Sequence, residues 1–317
     1  MKEFAIGIDI GGTTTKFGIV NRKGEIIMQD RIPSNKHEVA EDFIDDLYNK
    51  LKPMIDSMGG NENFVGIGMG APNGNFYSGT IEYAPNLKWK GIIPIADMMY
   101  KKFGLHTKLT NDANAAAMGE YIFGCTKSIK HFITITLGTG VGSGIVIDGK
   151  IVLGHDGFAG ELGHIIIRPG GRQHKGTGAL GSLEAYASAT GVRETAIELL
   201  THYPEQESLL RNYTINELTS EAVYDCAMQG DSIANEIFEF TGQILGESLA
   251  NFIMFSSPEA IVLFGGLTKA GDLLLKPTRK AMESNLLPIF QNKVKLLFSE
   301  LKEADAAILG ASSLVWK

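Results

Sequence analysis

Two runs of this chain follow one plan: an apolar strand, a turn of glycines and threonines, then a second apolar strand. The first is Phe4-Ala5-Ile6-Gly7-Ile8-Asp9-Ile10-Gly11-Gly12-Thr13-Thr14-Thr15-Lys16-Phe17-Gly18-Ile19-Val20. The second is Ile133-Thr134-Ile135-Thr136-Leu137-Gly138-Thr139-Gly140-Val141-Gly142-Ser143-Gly144-Ile145-Val146-Ile147. Apolar residues that alternate or run on, many of them β-branched and interrupted only at the turn, read as β-hairpins. Glycine at the turn clears side chains from the backbone N–H groups, which can then converge on an oxyanion such as phosphate. One such loop is a weak signal. Two, each opening one half of a chain, point to a nucleotide held between duplicated domains.

A chain of 317 residues is long for one core and suits two. Hydrophobic residues at 44% and charged residues at 21% are the proportions of a soluble globular protein. The formal net charge of −7 leaves no basic footprint for nucleic acid, so an anionic nucleotide must be met by local donors and a metal ion. The two cysteines, Cys125 and Cys226, are far apart and read as small apolar residues, not as a disulfide or metal pair. No charged-then-apolar leader precedes the first strand, and no apolar window is long enough for a membrane span. A cytoplasmic protein without nucleic-acid or membrane partners is the expectation.

Further along, residues 25–31 suggest a third strand. Val39, Phe43, Leu47 and Leu51 recur at helical spacing up to about Pro53. Residues 64–70 read as a buried strand closed by Ala71-Pro72-Asn73-Gly74, and residues 105–110 as another that runs into Asn111-Asp112-Ala113-Asn114. In the second half the pattern predicts a helix over 182–202 interrupted near Gly191, a long helix over 231–256, a strand from 261 and a final helix from 304.

Asp9 interrupts an apolar strand just before the first glycine turn. A buried carboxylate is costly, so it is expected to face a cleft. It reads equally as an oxygen ligand, direct or through water, for Mg²⁺ on nucleotide phosphates, or as a turn aspartate bonding its own backbone. The nearby donors Thr13, Thr14 and Lys16 tilt the reading toward phosphate. Asp112, between a strand end and a helix start, is the best catalytic candidate, although a plain N-cap explains it equally well. Asn111 is able to take part of that capping role. Glu161 and His164 lie three apart in a glycine-flanked loop with His155 and His174 near in sequence, but no spacing matches a known all-protein metal site. Glu184, at a helix start, is most simply an acid favoured by the helix dipole. Two familiar motifs fail: residues 138–144 never satisfy G-x-G-x-x-G, and residues 144–150 approach a P-loop but are followed by Ile151 within a hairpin.

Taken together, Asp9 to Lys16, Ala84-Pro85-Asn86-Leu87 with Trp89, Asn111 to Asn114, Leu137 to Gly144, Gly160-Glu161-Leu162-Gly163-His164 and Gly265-Gly266 resemble the ROK-family sugar kinases of the actin-like ATPase superfamily. The resemblance covers essentially the whole chain. It implies an α/β fold of two actin-like (ribonuclease H-like) domains, with mixed central sheets flanked by helices and an interdomain cleft. The domains would be 1–113, rejoined by the helix 304–317, and 114–303. The implied activity is an ATP-dependent hexose kinase, with glucose first and its C6 hydroxyl the usual acceptor. N-acetylmannosamine, N-acetylglucosamine, mannose, fructose and β-glucosides are alternative acceptors. Asp112 would be the general base, with Asn86, Asn111, Glu161, His164 and Glu184 holding hydroxyls. Asp9, Gly11, Gly12, Thr13, Thr14, Lys16, Gly138, Thr139 and Gly140 would hold Mg-ATP phosphates, Gly265 and Gly266 would border the adenosine, and the protein would be a homodimer.

Many members of that family carry a zinc loop, Cys-x-Cys-Gly-x-x-Gly-Cys-x-Glu. Here its cysteine positions read Lys175, Thr177 and Ser182, while Gly178, Gly181 and Glu184 keep the scaffold and His164 occupies the zinc-histidine position. Structural zinc is therefore not expected. The family also includes sugar-responsive repressors, which add a winged helix before the first hairpin. A hairpin starting near residue 4 leaves no room for one, so the repressor reading is disfavoured. A chaperone-like ATPase would leave Asn111-Asp112 and Glu161 to His164 unexplained.

Overall fold

The structure is a computed structural model that describes residues 2–316; Met1 and Lys317, the outer limits of the expected first domain, lie outside the described residues. The chain divides into two compact units. One comprises Met1–Lys130, Gly144–Gly160 and Ser299–Lys317; the other comprises His131–Ser143 and Glu161–Phe298.

In the first unit, β1 (Phe4–Ile10) and β2 (Thr14–Asn21) form the expected glycine hairpin, with Asp9 opposite Lys16. Antiparallel β3 (Ile26–Pro33) runs two residues beyond its predicted end, because its ladder with β2 continues to Thr14 opposite Pro33. Pro33 lies on the edge strand, where a missing N–H breaks no interior ladder. Helix α1 (Ala40–Ser57) continues past Pro53, where the sequence suggests an end. A proline inside a helix costs roughly 3 kcal/mol. Fully buried Leu51 and Ile55 each return roughly 1.5–3 kcal/mol and offset it.

Strand β4 (Phe64–Gly70) joins parallel to β1. A two-stranded ribbon, β5 (Ile81–Glu82) with β6 (Ile92–Ile93), and helix α2 (Ile95–Phe103) lead to β7 (Thr107–Thr110), parallel to β4. Helix α3 (Asp112–Ile122) begins almost at once, and the sheet order is β3-β2-β1-β4-β7.

The second sheet contains β8 (Phe132–Leu137), β9 (Val141–Ile147), β10 (Lys150–Ile151), β11 (Ala260–Phe264) and β12 (Lys295–Phe298), in the order β10-β9-β8-β11-β12. Numbered from its own first strand, each sheet runs third-second-first-fourth-fifth. The duplication suggested by the two glycine turns thus extends to strand order. The P-loop look-alike is the tight turn between β9 and β10, where Asp148 and Gly149 both have positive φ (53° and 71°) and Lys150 pairs with Ile147.

Helices α4 (Glu184–Ala187), α5 (Ala189–His202), α6 (Ser220–Met228), α7 (Ser232–Ser256) and α8 (Asp272–Asn285) belong to the second unit. The expected break near Gly191 falls at Ser188 instead. That residue is extended (φ −91°, ψ 170°), and its hydroxyl caps α5 by accepting from Gly191 N–H at 2.9 Å.

The last helix, α9 (Glu303–Ser313), packs within the first unit on β1, β4 and α3. A Cβ on Gly7 would run into the Ile308 carbonyl, and one on Gly68 into the Ala311 carbonyl. Where α9 crosses α3, a Cβ on Gly119 would come within 2.8 Å of Gly310 Cα. Glycines in the sheet and in both helices are what allow this close backbone approach. Among the described residues no helix is long and apolar enough to cross a membrane, and Cys125 and Cys226 are both free.

Candidate active site

Strand register brings two acids together in the first unit. Asp9 of β1 pairs with Gly70 of β4, and Gly70 pairs with Thr110 of β7, so three strands that run the same way end level. Such carboxyl ends are where α/β sheets present reactive groups. A Cβ on Gly70 would lie 3.5 Å from Asp112 Cα and 3.9 Å from Asp9 Oδ1. The two acids therefore flank a residue with no side chain to separate them.

The cap of α3 falls to Asn111, whose side chain accepts from Asn114 N–H at 2.7 Å while its backbone stays extended. Asp112 is thereby relieved of capping; its Oδ1 accepts from Ala113 N–H at 2.8 Å. Burial holds Asp112 above the usual carboxylate range, against the pull of that hydrogen bond. Crowded by protein, the side chain still keeps solvent access, as a base that meets a substrate must. Asp9 is pushed up to about 6, by burial first and then by the charge of Asp112, with Lys16 opposing. Buried Thr110 Oγ1 and Asn114 Oδ1, on either side of Asp112, have no hydrogen-bond partner among the described residues.

The first glycine turn closes with Gly11 N–H donating to the Thr14 carbonyl at 3.2 Å. Thr13 is exposed and Lys16 half-buried, whereas Thr15 is buried and bonds Ser34 at 2.8 Å. Asn86 rests on the same turn, since a Cβ on Gly12 would lie 2.7 Å from its carbonyl oxygen and 2.9 Å from its Cβ. Ala84, Leu87 and Trp89 around it are buried, with the Trp89 ring tilted against Phe43 at 4.7 Å between centroids and its N–H donating to the His37 carbonyl at 3.2 Å. Buried anchors thus hold an exposed asparagine against the glycine turn.

In the second unit the turn Gly138-Thr139-Gly140 is pinned by Ala189 N–H to the Gly138 carbonyl at 2.8 Å and by the Thr190 hydroxyl to the Thr139 carbonyl at 3.0 Å. Gly265, at φ +106°, follows β11 beside the end of β8; a Cβ there would lie 2.5 Å from the Leu137 carbonyl oxygen. Glu184 opens α4, but its carboxylate does more than favour a helix dipole. Oε2 accepts from Val141 N–H at 2.6 Å, and Oε1 lies 2.6 Å from His174 Nε2. Glu161 and His164 approach to 4.0 Å, both well exposed. His164, His174 and Glu184 each bring a donor atom within 4.8 Å of the others; His155 stands outside that group.

Two residues here have roles that the sequence does not reveal. His174 reads in sequence only as a candidate metal ligand. Arg172 was passed over, although an arginine among glycines at 170, 171 and 176 is a visible signal. All five of its N–H donors are used: Nε and Nη2 to the two Glu198 oxygens (2.8 and 2.6 Å), Nη2 to Thr195 (3.0 Å), and Nη1 to the Ala185 and Gly191 carbonyls (2.7 and 3.0 Å). Its guanidinium also lies 4.6 Å from the centre of the Tyr186 ring.

Duplicated sheets of this order, each opened by a glycine hairpin, define the actin-like ATPase fold. The chain belongs to the ROK family, whose model matches residues 5–317. It is 36% identical to a glucokinase of Halalkalibacterium halodurans, over 98% of this chain and 94% of that protein. It is 30% identical to a putative xylose repressor of Caldicellulosiruptor sp., over 98% of this chain and 77% of the repressor. Among solved structures, the ROK-family glucokinase from Streptomyces griseus in complex with glucose and AMPPNP matches with a TM-score of 0.80 and 31% identity over 98% of each chain.

Two metals that the family implies fare differently against these residues. Structural zinc does not fit the cysteine-motif positions, where a lysine, a threonine and a serine offer no thiolate. Mg²⁺ fits the first unit, where Asp9 offers a carboxylate whose ionised form lacks a full counter-charge, beside a second acid.

Proposed function

We propose that the chain is an ATP-dependent hexose kinase acting on the C6 hydroxyl of glucose, with Asp112 as general base. The observation that carries this reading is Asp112 itself, freed from capping by Asn111 and held above the ordinary carboxylate range beside Asp9. Phosphoryl transfer needs an aligned oxygen nucleophile and stabilised charge on the phosphates; the base orients the hydroxyl and accepts its proton. Asp112 accepts the proton as the hydroxyl oxygen attacks the γ-phosphorus, whose bond to the β–γ bridging oxygen breaks so that ADP leaves. Asn86, the amide of Asn111, Glu161, His164 and Glu184 hold the other hydroxyls. Paired donors and acceptors of this kind suit a polyol. Gly11, Gly12, Thr13, Thr14, Lys16, Gly138, Thr139 and Gly140 supply backbone, hydroxyl and cationic donors for phosphate oxygens, and Gly265 and Gly266 border the adenosine. Asp9 would hold Mg²⁺, directly or through water, and the ion supplies neutralisation of phosphate charge. A homodimer and a cytoplasmic location belong to the same proposal, and light scattering tests the first.

The test is ADP release by the purified protein across glucose, mannose, N-acetylglucosamine, N-acetylmannosamine and fructose, with Asp112→Asn alongside. Glucose-dependent turnover is expected, with kcat of the variant lower by about 10²–10⁴ and sugar binding retained. Turnover that no sugar increases removes the kinase reading; an active Asp112→Asn variant removes Asp112 as base.

A further inference from the structure

Residues 170–184 stand where the family's zinc loop would be, and contacts between protein groups tie them down. Arg172 ties the start of the segment to α4 and α5 through all five of its donors, and Lys175 bonds Glu194 at 2.7 Å. Between them, His174 sits in a small loop closed by its own N–H to the Ala179 carbonyl and by Gly178 N–H to its carbonyl, both at 2.8 Å.

Two readings of the His174 ring compete. His164, His174 and Glu184 form a His₂Glu donor group of a kind that zinc uses. A metal on His174 Nε2 would require Nδ1 to carry the proton and donate it outward. Here Nδ1 faces a donor that cannot turn away, Thr177 N–H at 3.1 Å, with the Thr177 hydroxyl at 2.8 Å. A protonated Nδ1 would set N–H against N–H. Nδ1 therefore accepts, Nε2 carries the hydrogen, and the 2.6 Å contact to Glu184 Oε1 is a hydrogen bond donated to a carboxylate.

We infer that His174 is a positioning residue: through Nε2–H it fixes the Glu184 carboxylate against Val141 N–H, so that this loop aims Glu184 without calling on a metal. One acceptor site on each Glu184 oxygen is thereby occupied and one on each is left for a sugar hydroxyl. Gly140 belongs to the same arrangement, because a Cβ there would run into Glu184 Oε2. The inference rests on the proposed role of Glu184 in sugar binding.

The test uses the full-length protein. In ¹⁵N–¹H long-range correlation spectra the His174 ring, identified by its loss in His174→Gln, is expected as the Nε2–H tautomer, unchanged by equimolar Zn²⁺ or by EDTA. In the coupled assay His174→Ala is expected to raise the sugar KM about tenfold, with kcat and the KM for ATP within about twofold. His174→Gln, whose amide supplies an N–H near the position of Nε2, is expected to return the sugar KM to within about threefold of the wild type. The inference is overturned by an unchanged sugar KM in His174→Ala while Glu184→Gln raises it. It is equally overturned by one tightly bound zinc per chain whose removal reproduces the His174→Ala defect. If no sugar is turned over, the kinase reading fails, and an Nδ1–H tautomer would then sink the positioning role on its own.

Discussion

Asp9 sits where its charge is resisted. Its carboxyl is pushed from 3.8 to about 6, by burial first and then by Asp112. The folded protein therefore keeps a proton that the unfolded chain releases between those values. The stability this contributes is fully present below pH 3.8 and lost as pH rises through about 6. At pH 7 the ionised form costs up to about 3 kcal/mol, less whatever solvent access returns. Asp9→Asn is accordingly expected to make the nucleotide-free protein more resistant to urea at pH 7, with the gain vanishing near pH 3.8. A gain equal at both pH values would contradict the assignment. Cys125 shows the same physics without function: burial, then Glu120, pushes its thiol up to about 12, so it stays inert. The sequence reading of a buried small apolar residue fits Cys226 but not Cys125, which is half-buried and whose thiol donates to Glu120 Oε2 at 3.3 Å. Asp9 as an acid facing ligand was half legible, because a carboxylate in an apolar strand is conspicuous but its neighbours are not.

At the scale of elements, α3 is set by its first residues. Asn111 caps it, leaving Asp112 at its first helical position. Asn111→Ala is expected to cost about 1 kcal/mol in urea unfolding, with no change in helix content by circular dichroism. A loss below about 0.3 kcal/mol would assign the cap elsewhere. The hairpins were legible because period-two alternation and glycine turns are local signals. The break before α5 was not. Serine and glycine both suit a helix boundary, and Gly191 is instead packed under the Tyr186 carbonyl, where a Cβ would lie 2.5 Å from its oxygen.

Across the whole molecule, the first unit is closed by a helix from the far end of the chain. Gly7 of β1 and Gly68 of β4 read in sequence as part of apolar strands; in the structure they are where α9 lies against the sheet. Gly68→Ala sets a Cβ against the Ala311 backbone and is expected to destabilise the protein by roughly 3 kcal/mol or more, in the upper range of overpacking. Gly138→Ala, which meets nothing within 4 Å, serves as a stability control. Equal unfolding midpoints for the two variants would refute this account of the α9 seat.

Local chemistry was readable from the chain alone: two glycine hairpins, an acid at the end of each of two strands, a capped helix start, and a loop without its cysteines. Each depends on residues a few positions apart. The structure decided which of these meet. Asp9 and Asp112 come together because β1, β4 and β7 align in register around Gly70, and Glu184 is aimed by His174 and Val141 because the loop folds back on the second hairpin. Those contacts join residues ten to a hundred positions apart, and strand register and backbone approach, not local propensity, determine them.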